Sequence, residues 1–332
     1  MTISVLIPTY NSASLIRGTL DSVLGQTVSP DEILVLDDGS TDETVSTLES
    51  YRPRITVLQQ ENRGVASARN ALCTRARGDL IAFLDHDDLW HPRYLEMQRE
   101  LFQTYPRAKA FFTGHVDFTG YNTYEWTTDP GDDKGKVELI DPLTFFRRYN
   151  TTTGYFSSMS FCCVPKQALQ EMGNEPFQIS GVDDSYLCTV LPLLGPVVYT
   201  PARLVAYRLT VKAQSTDRLR TFGLWVNVFE LLESRYQKQA YPELHGAFQS
   251  AFAAKRRAYG RILMGVGKSV EARRQFRESM GNSSDLASRA KSLRLWLLSF
   301  LPSALQPAWP SSVRESGPGG SIPSAKELVV ER

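Results

Sequence analysis

Residues 32–44 read EILVLDDGSTDET. After Glu32 the run Ile33 to Leu36 is wholly apolar, and it stops at two consecutive carboxylates, Asp37 and Asp38, followed by Gly39. A short apolar run without alternation, bounded by turn formers, is the pattern of a strand buried on both faces. Ser40-x-x-Glu43 has capping-box spacing and predicts a helix to about Tyr51. Upstream, residues 3–7 (ISVLI) end at Pro8 and read as another buried strand. Asn11 or Ser12 then caps a predicted helix with Leu15, Ile16, Leu20, Val23 and Leu24 on one face. Downstream, residues 55–58 read as a third strand and 65–76 as a helix ended by Gly78. Residues 80–84 (LIAFL) form a fourth strand running into Asp85. This alternation predicts an α/β fold with a doubly wound, mostly parallel sheet covered on both faces. Such sheets bind ligands at the carboxyl ends of their strands. Thr9, Tyr10, Asn11, Asp37, Asp38, Asp85 and Asp87 all fall there.

The chemistry at those ends is acidic. No G-x-G-x-x-G follows the first strand and no G-x-x-x-x-G-K-[ST] occurs, which excludes glycine-rich dinucleotide and P-loop sites. Asp37-Asp38-Gly39-Ser40 and Asp85-His86-Asp87-Asp88 stand in their place. A diphosphate approaches such carboxylates only across a divalent cation, so the clusters imply Mg²⁺ or Mn²⁺ beside a diphosphate. A purely structural use of Asp38 and Asp88 as caps of the following elements is the competing reading, weakened by two clusters at two strand ends.

Four segments carry a family resemblance: SVLIPTYN (4–11), VLDDGSTDET (35–44), ENRGVASARNALCTRARGD (61–79) and IAFLDHDDLWHP (81–92). In order and spacing they resemble the family-2 glycosyltransferases. The likeness runs on more weakly to about residue 215. Residues 159–164 and 166–173 resemble the family's acceptor-side strand and helix. Gly181-Val182-Asp183-Asp184 resembles its acidic ED segment, and Ala206-Tyr207-Arg208 its closing YR segment.

The resemblance implies a GT-A (nucleotide-diphospho-sugar transferase) fold and inverting transfer of a sugar, a hexose or N-acetylhexosamine, from a nucleotide-diphosphate donor. A UDP-sugar is favoured because it is the commonest donor in the family. Carried over by position, Pro8, Thr9, Tyr10 and Asp38 hold the nucleoside, with Asp38 near the base. Arg69 faces the nucleotide or braces the acidic cluster. Asp85 and Asp87 form the DXD motif, with Asp87 as metal ligand and Asp85 near the ribose or the metal. Asp184 is the general base, with Asp183 as the second candidate. Inverting displacement needs one carboxylate to take the acceptor hydroxyl's proton and a cation to neutralise the leaving group, so two separated carboxylate sets suit the two tasks. As a start of the helix around Tyr186–Leu191, Asp183-Asp184 also has a plain solvated reading.

Two departures qualify the resemblance. The family's His two residues after the YR segment is Thr210 here, and Lys212 is either a diphosphate contact or a surface lysine. The Q-x-x-R-W segment of processive synthases is missing, which favours adding one or a few sugars to a glycan or lipid-linked acceptor. The non-catalytic alternative is a sugar-nucleotide-binding relative; a nucleotidyltransferase would need a glycine-rich, basic loop where Thr9-Tyr10-Asn11 stands. His86, His91, His115 and His245 sit in no Ser or Cys nucleophile motif. Trp90 and Tyr94 suit either stacking on an acceptor sugar or core packing. Residues 127–136 (TTDPGDDKGK) read as a loop, exposed or closing over the donor.

Charge divides the chain. The 332 residues carry a formal net charge of +1, but residues 1–209 sum to −8 and residues 210–332 to +9. The near-neutral total argues against a dedicated nucleic-acid partner. Cys73, Cys162, Cys163 and Cys188 have no C-x-x-C or metal-ligand spacing and read as reduced thiols. No signal peptide is legible, and residues 293–305 are too short an apolar stretch for the ~20 residues of a spanning helix. The expected location is therefore the cytoplasm. The expected organisation is a catalytic domain over 1–209 (nucleotide-sugar half about 1–100, acceptor half about 101–209), a helical region over 210–310 and a disordered tail over 311–332. Predicted helices cover 218–239, 244–263 and 270–280. Eight basic residues between Lys255 and Arg277, then Arg289, Lys291 and Arg294 beside Leu295–Leu301, suit a helix on an anionic membrane face through 255–301. A helical cap with solvated arginines fits the same pattern.

Overall fold

The computed structural model describes residues 1–120, 123–126, 136–151, 158–173, 175–209, 217–283, 285–302 and 305–310. It divides into two compact units, Met1–Phe145 with Gly154–Val211 and Phe146–Thr153 with Lys212–Arg332. The first unit is a sheet with helices. Its strands are β1 (Ile3–Thr9), β2 (Glu32–Asp37), β3 (Thr56–Gln59), β4 (Leu80–Phe83), β5 (Leu89–Trp90), β6 (Phe111–Phe118), β7 (Glu138–Ile140), β8 (Cys162–Pro165) and β9 (Val197–Arg208). The main order is β3-β2-β1-β4-β8-β6-β9-β5, with β7 on β9. β3, β2, β1 and β4 run parallel, β8 is antiparallel to both its neighbours, and β6 is again parallel to β9. The doubly wound, mostly parallel sheet expected from the sequence is present.

Connections between parallel strands need crossovers, and α1 (Ile16–Leu24), α2 (Thr44–Glu49) and α3 (Val65–Arg75) supply them; α4 (Tyr94–Thr104), α5 (Pro142–Thr151), α6 (Lys166–Met172) and α7 (Asp183–Leu194) follow along the chain. Every residue of β1 is buried, as a central parallel strand requires. Chain order runs outward from β1 to β2 and β3, then returns to β4 on β1's other side. The gap between β1 and β4 is thus the topological switch point, where open α/β sheets place ligands. Trp90 and Tyr94 belong to the core. Their rings stack at 4.1 Å, Trp90 Nε1 donates to the Ser160 carbonyl at 3.0 Å, and neither is exposed.

Three local expectations change. The capping box does not form: α2 starts at Thr44, and Asp42 accepts from Thr44 N at 3.0 Å. Ser40 instead accepts from Asn11 N, while Asn11 Oδ1 accepts from Thr41 N, both at 2.8 Å. Asn11 therefore caps no helix; with φ at +47° it clasps the β1 and β2 ends together. Gly78 does not end α3, which gives way to an extended Ala76. A Cβ at Gly78 would lie 2.6 Å from Ser4 N, so the glycine serves a close backbone approach between the chain entering β4 and β1. Gly78→Ala is expected to cost about 1–3 kcal/mol by overpacking, read as a shift of the denaturant midpoint at constant m-value.

The second unit holds α8 (Arg218–Leu232), α9 (Pro242–Gly265), α10 (Ser269–Asn282) and α11 (Leu286–Leu298). The helix expected over 218–239 stops at Leu232, with a 3₁₀ turn at Glu233–Arg235. Phe146 belongs here because its ring meets Tyr236 at 5.6 Å and Phe248 at 6.3 Å. Several of the basic residues are structural. Arg256 is buried, bonded to Glu230 at 3.1 Å, Gln275 at 3.1 Å, Asn282 at 3.0 Å and also to Glu278. Lys255 lies 3.9 Å from the Trp225 ring, and burial pulls its amine down to about 8. Among the described residues, no helix is long and apolar enough to cross a membrane. Most of the 127–136 loop, Thr210, Lys212 and the 311–332 tail lie outside the described residues.

Candidate active site

Three loops and two helix starts meet at the switch point. Pro8 and Thr9 close β1; both are buried, and Thr9 Oγ1 contacts Ser12 Oγ. Tyr10 projects outward. Asp38 follows β2 and accepts three hydrogen bonds: from Gln60 Nε2 at 2.6 Å, Arg63 N at 3.0 Å and Gly64 N at 2.8 Å. Those backbone donors open α3, so Asp38 fixes where α3 begins and with it the position of Arg69.

Arg69 is buried at the centre. One guanidinium nitrogen bonds Asp85 and the other bonds Asp183. A single cation thus joins carboxylates 98 residues apart in the chain, one from the end of β4 and one from the start of α7 (Asp183–Leu194). Arg69 thus braces the acidic cluster. The other Asp85 oxygen accepts from Ser158 Oγ at 3.2 Å, and Asp85 N donates to Ser160 Oγ at 3.0 Å. Antiparallel β8 brings these serines in beside β4.

Asp184 sits next to this bridge and differs from Asp183. Its Oδ1 accepts from Ser185 N at 2.6 Å. Burial first, then the adjacent Asp183 charge, pushes its carboxyl up to about 7 against the pull of Arg69. A carboxylate poised near neutrality is what a general base at physiological pH requires. The bland solvated helix start does not describe this pair, since Asp183 is buried and ion-paired.

Asp87 and Asp88 complete the acidic side. Burial raises both carboxyls, and the Asp85 charge raises them further. Asp88 Oδ1 accepts from Arg208 N at 2.9 Å. No group of three His, Cys, Asp or Glu side chains able to hold a metal occurs among the described residues. A cation here would need oxygens from a ligand, which matches the few-carboxylate, phosphate-rich habit of Mg²⁺.

Sequence reasoning left Tyr207 and Arg208 without roles. Arg208 Nε donates to the Asp87 carbonyl at 2.6 Å, and its guanidinium lies 4.4 Å from the Phe118 ring centre. Burial first, then the charges of Asp88, Asp85, Asp87 and Asp184, push the Tyr207 phenol up. The YR dipeptide was the available signal; only β9's pairing with β5 and β6 shows what it touches. A depression of about 850 Å³ lined by Met1, Asp79, Lys109 and Lys166 lies at the opposite, amino-terminal ends of β1 and β4.

Comparison with known proteins gives the family and the fold. Residues 4–172 match the model of glycosyl transferase family 2, so the chain belongs to that family. A Bacillus subtilis glycosyltransferase named for teichuronic acid biosynthesis is 41% identical over 124 residues, 36% of this chain and 46% of its own. An uncharacterized glycosyltransferase of a Nostoc species is 43% identical over 108 residues, 31% of this chain and 34% of its own. Escherichia coli chondroitin synthase is 30% identical over 168 residues, 48% of this chain and 24% of its own. The chain spans less than half the length of each of these relatives. Among solved structures, S. aureus TarS in complex with UDP-GlcNAc superposes with a TM-score of 0.64 at 15% identity, covering 90% of both chains. That likeness concerns the fold, a GT-A sheet followed by a helical region.

Proposed function

We propose that this protein is an inverting, non-processive glycosyltransferase that moves a sugar from a nucleotide-diphosphate donor, a UDP-sugar, to a hydroxyl of a glycan or lipid-linked acceptor. The observation that carries this reading is the Arg69 bridge, which sets the near-neutral Asp184 beside the Asp85–Asp88 segment. Family membership supports sugar transfer; the UDP and UDP-GlcNAc complexes of TarS and the polysaccharide-synthase names of the relatives support the donor and acceptor classes.

In this reading Pro8, Thr9, Tyr10 and Asp38 frame the nucleoside, Asp38 largely by fixing the loop from Gln60 to Gly64. Asp184 takes the proton from the acceptor hydroxyl as its oxygen attacks the anomeric carbon, on the face opposite the departing diphosphate. Asp183, held by Arg69, keeps Asp184 raised. Asp87, with Asp85 next to it, would hold Mn²⁺ or Mg²⁺ together with diphosphate oxygens. Such a cation supplies neutralisation of the charge developing on the leaving group. The exposed basic residues late in the 255–301 segment support work at an anionic membrane face.

Turnover of a nucleotide-sugar panel with and without Mn²⁺, with the anomeric configuration of the product read by NMR, tests the reading. Release of nucleoside diphosphate with inversion is expected, and more of it with metal. Binding without any turnover would make the chain a non-catalytic relative. Pyrophosphate release would point to nucleotidyl transfer.

A further inference from the structure

We propose that the outward face of α11 and the turn after it dock this protein on an anionic lipid surface. The inference rests on the membrane part of the reading above and identifies the residues that carry it. Leu286, Ala290, Leu293, Leu297 and Phe300 follow one another at spacings of four, three, four and three residues, which keeps them on one stripe of a helix. The stripe faces outward: Leu286 is 82% exposed, Leu293 45%, Leu297 55% and Phe300 54%. Exposed Leu301 and Leu305 extend it.

The opposite side of α11 is already satisfied. Ser288 and Ser292 are buried and accept from Arg257 at 2.9 and 3.2 Å. Leu295 and Trp296 pack against Leu263, Met264, Ala272 and Phe276. Phe300 is held from beneath by Arg273, whose guanidinium lies 4.3 Å from its ring and bonds the Ser299 carbonyl at 3.1 Å. The helix therefore has one face spent on its own unit and a second apolar face spent on nothing among the described residues. Contiguous exposed apolar side chains of this kind mark an interaction surface rather than scattered surface leucines.

Charge decides the occupant. Arg289, Lys291 and Arg294 are exposed beside the stripe, and no carboxylate occurs from residue 286 to 302. A cationic rim around an apolar stripe matches the interface of a bilayer containing anionic lipid, where leucines and phenylalanine enter the acyl boundary and the bases meet headgroups. A second copy meeting the same face would set like charges against each other. The helix is too short and too charged to span, so it lies in the interface plane.

Co-sedimentation of the full chain with phosphatidylcholine vesicles, with and without phosphatidylglycerol, tests the proposal. Binding is expected only with phosphatidylglycerol and should fade as salt rises from about 0.1 to about 1 M, where the screening length drops from ~10 to ~3 Å. Lys291→Ala with Arg294→Ala should weaken it roughly 25-fold. Leu293→Asp with Leu297→Asp should abolish it while circular dichroism and the melting temperature stay unchanged, since both side chains are solvent-facing. Binding that persists in the Leu293→Asp/Leu297→Asp variant overturns the proposal. So does absence of binding at low salt, or a wild-type dimer in analytical ultracentrifugation that this variant renders monomeric. Nucleotide-sugar turnover measured in the same samples separates the two readings: vesicle binding without turnover removes the transferase assignment and leaves the docking face.

Discussion

Asp184→Asn is expected to lower sugar transfer by about 10²–10⁴-fold and to leave nucleotide-sugar affinity almost unchanged. The amide keeps the shape and the Oδ1 acceptor that binds Ser185 N, so the start of α7 is preserved. What disappears is the ability to take a proton. Because burial and Asp183 push the wild-type carboxyl up to about 7, its base form fades below neutrality. The wild-type rate should rise as pH increases toward about 7 and level off above it, and the variant's residual rate should lack that limb. Stability moves the other way. A carboxyl raised from its ordinary 3.8 to about 7 binds its proton more tightly folded than unfolded. Folding stability is therefore lost progressively as pH rises from about 4 to about 7. Asn carries no such cost, so the variant should melt at a higher temperature than the wild type at pH 8. Full turnover in Asp184→Asn, with the acidic limb retained, would refute the base assignment.

Arg69→Ala should cost about 3–5 kcal/mol, because it strands the buried Asp183 and the partly buried Asp85 without their shared cation. For a unit of this size that is a fall in Tm of roughly 6–20 °C. Lysine should not rescue the position. Its single ammonium cannot branch to two carboxylates on separate elements as the guanidinium does. Neutralising all three positions together, Arg69→Met with Asp85→Asn and Asp183→Asn, should recover most of the melting temperature while transfer stays lost, since a buried pair replaced whole avoids the stranded charge. An Arg69→Ala protein that melts like the wild type would show the bridge contributes little.

Much of the first unit was legible because burial on both faces leaves a direct trace in composition. β1, β2 and β4 are apolar runs ending at polar residues, and a parallel sheet admits few other patterns. The acidic segments at 37–38 and 85–88 were legible as chemistry because two carboxylate clusters fall at two strand ends of one sheet, whereas 183–184, at a helix start, was legible only through the family resemblance. Capping was not legible. Ser40-x-x-Glu43 had the right spacing, yet Ser40 Oγ is used by Asn11 N and the helix begins at Thr44. A side chain with two available partners takes the one the tertiary fold brings nearer, and sequence spacing registers only local partners. The basic residues after 255 show the same limit. Arg256 and Arg257 read as surface charge but are spent on Glu230, Glu278, Ser288 and Ser292, while Arg289, Lys291 and Arg294 stay exposed.

The amino-acid sequence by itself determined the strand–helix alternation, the parallel half of the sheet and the acidic character of its carboxyl-terminal edge. These follow from hydrophobic periodicity and residue chemistry within a few positions of the chain. Tertiary structure alone decided which carboxylates share a cation. Arg69, Asp85 and Asp183 meet only because antiparallel β8 is inserted beside β4 and α7 begins over the same edge. That pairing separates two adjacent aspartates into an anchored Asp183 and an Asp184 near neutrality. The physical reason is that a pKa is set by burial and by the charges within a few ångströms, and those neighbours are fixed by topology.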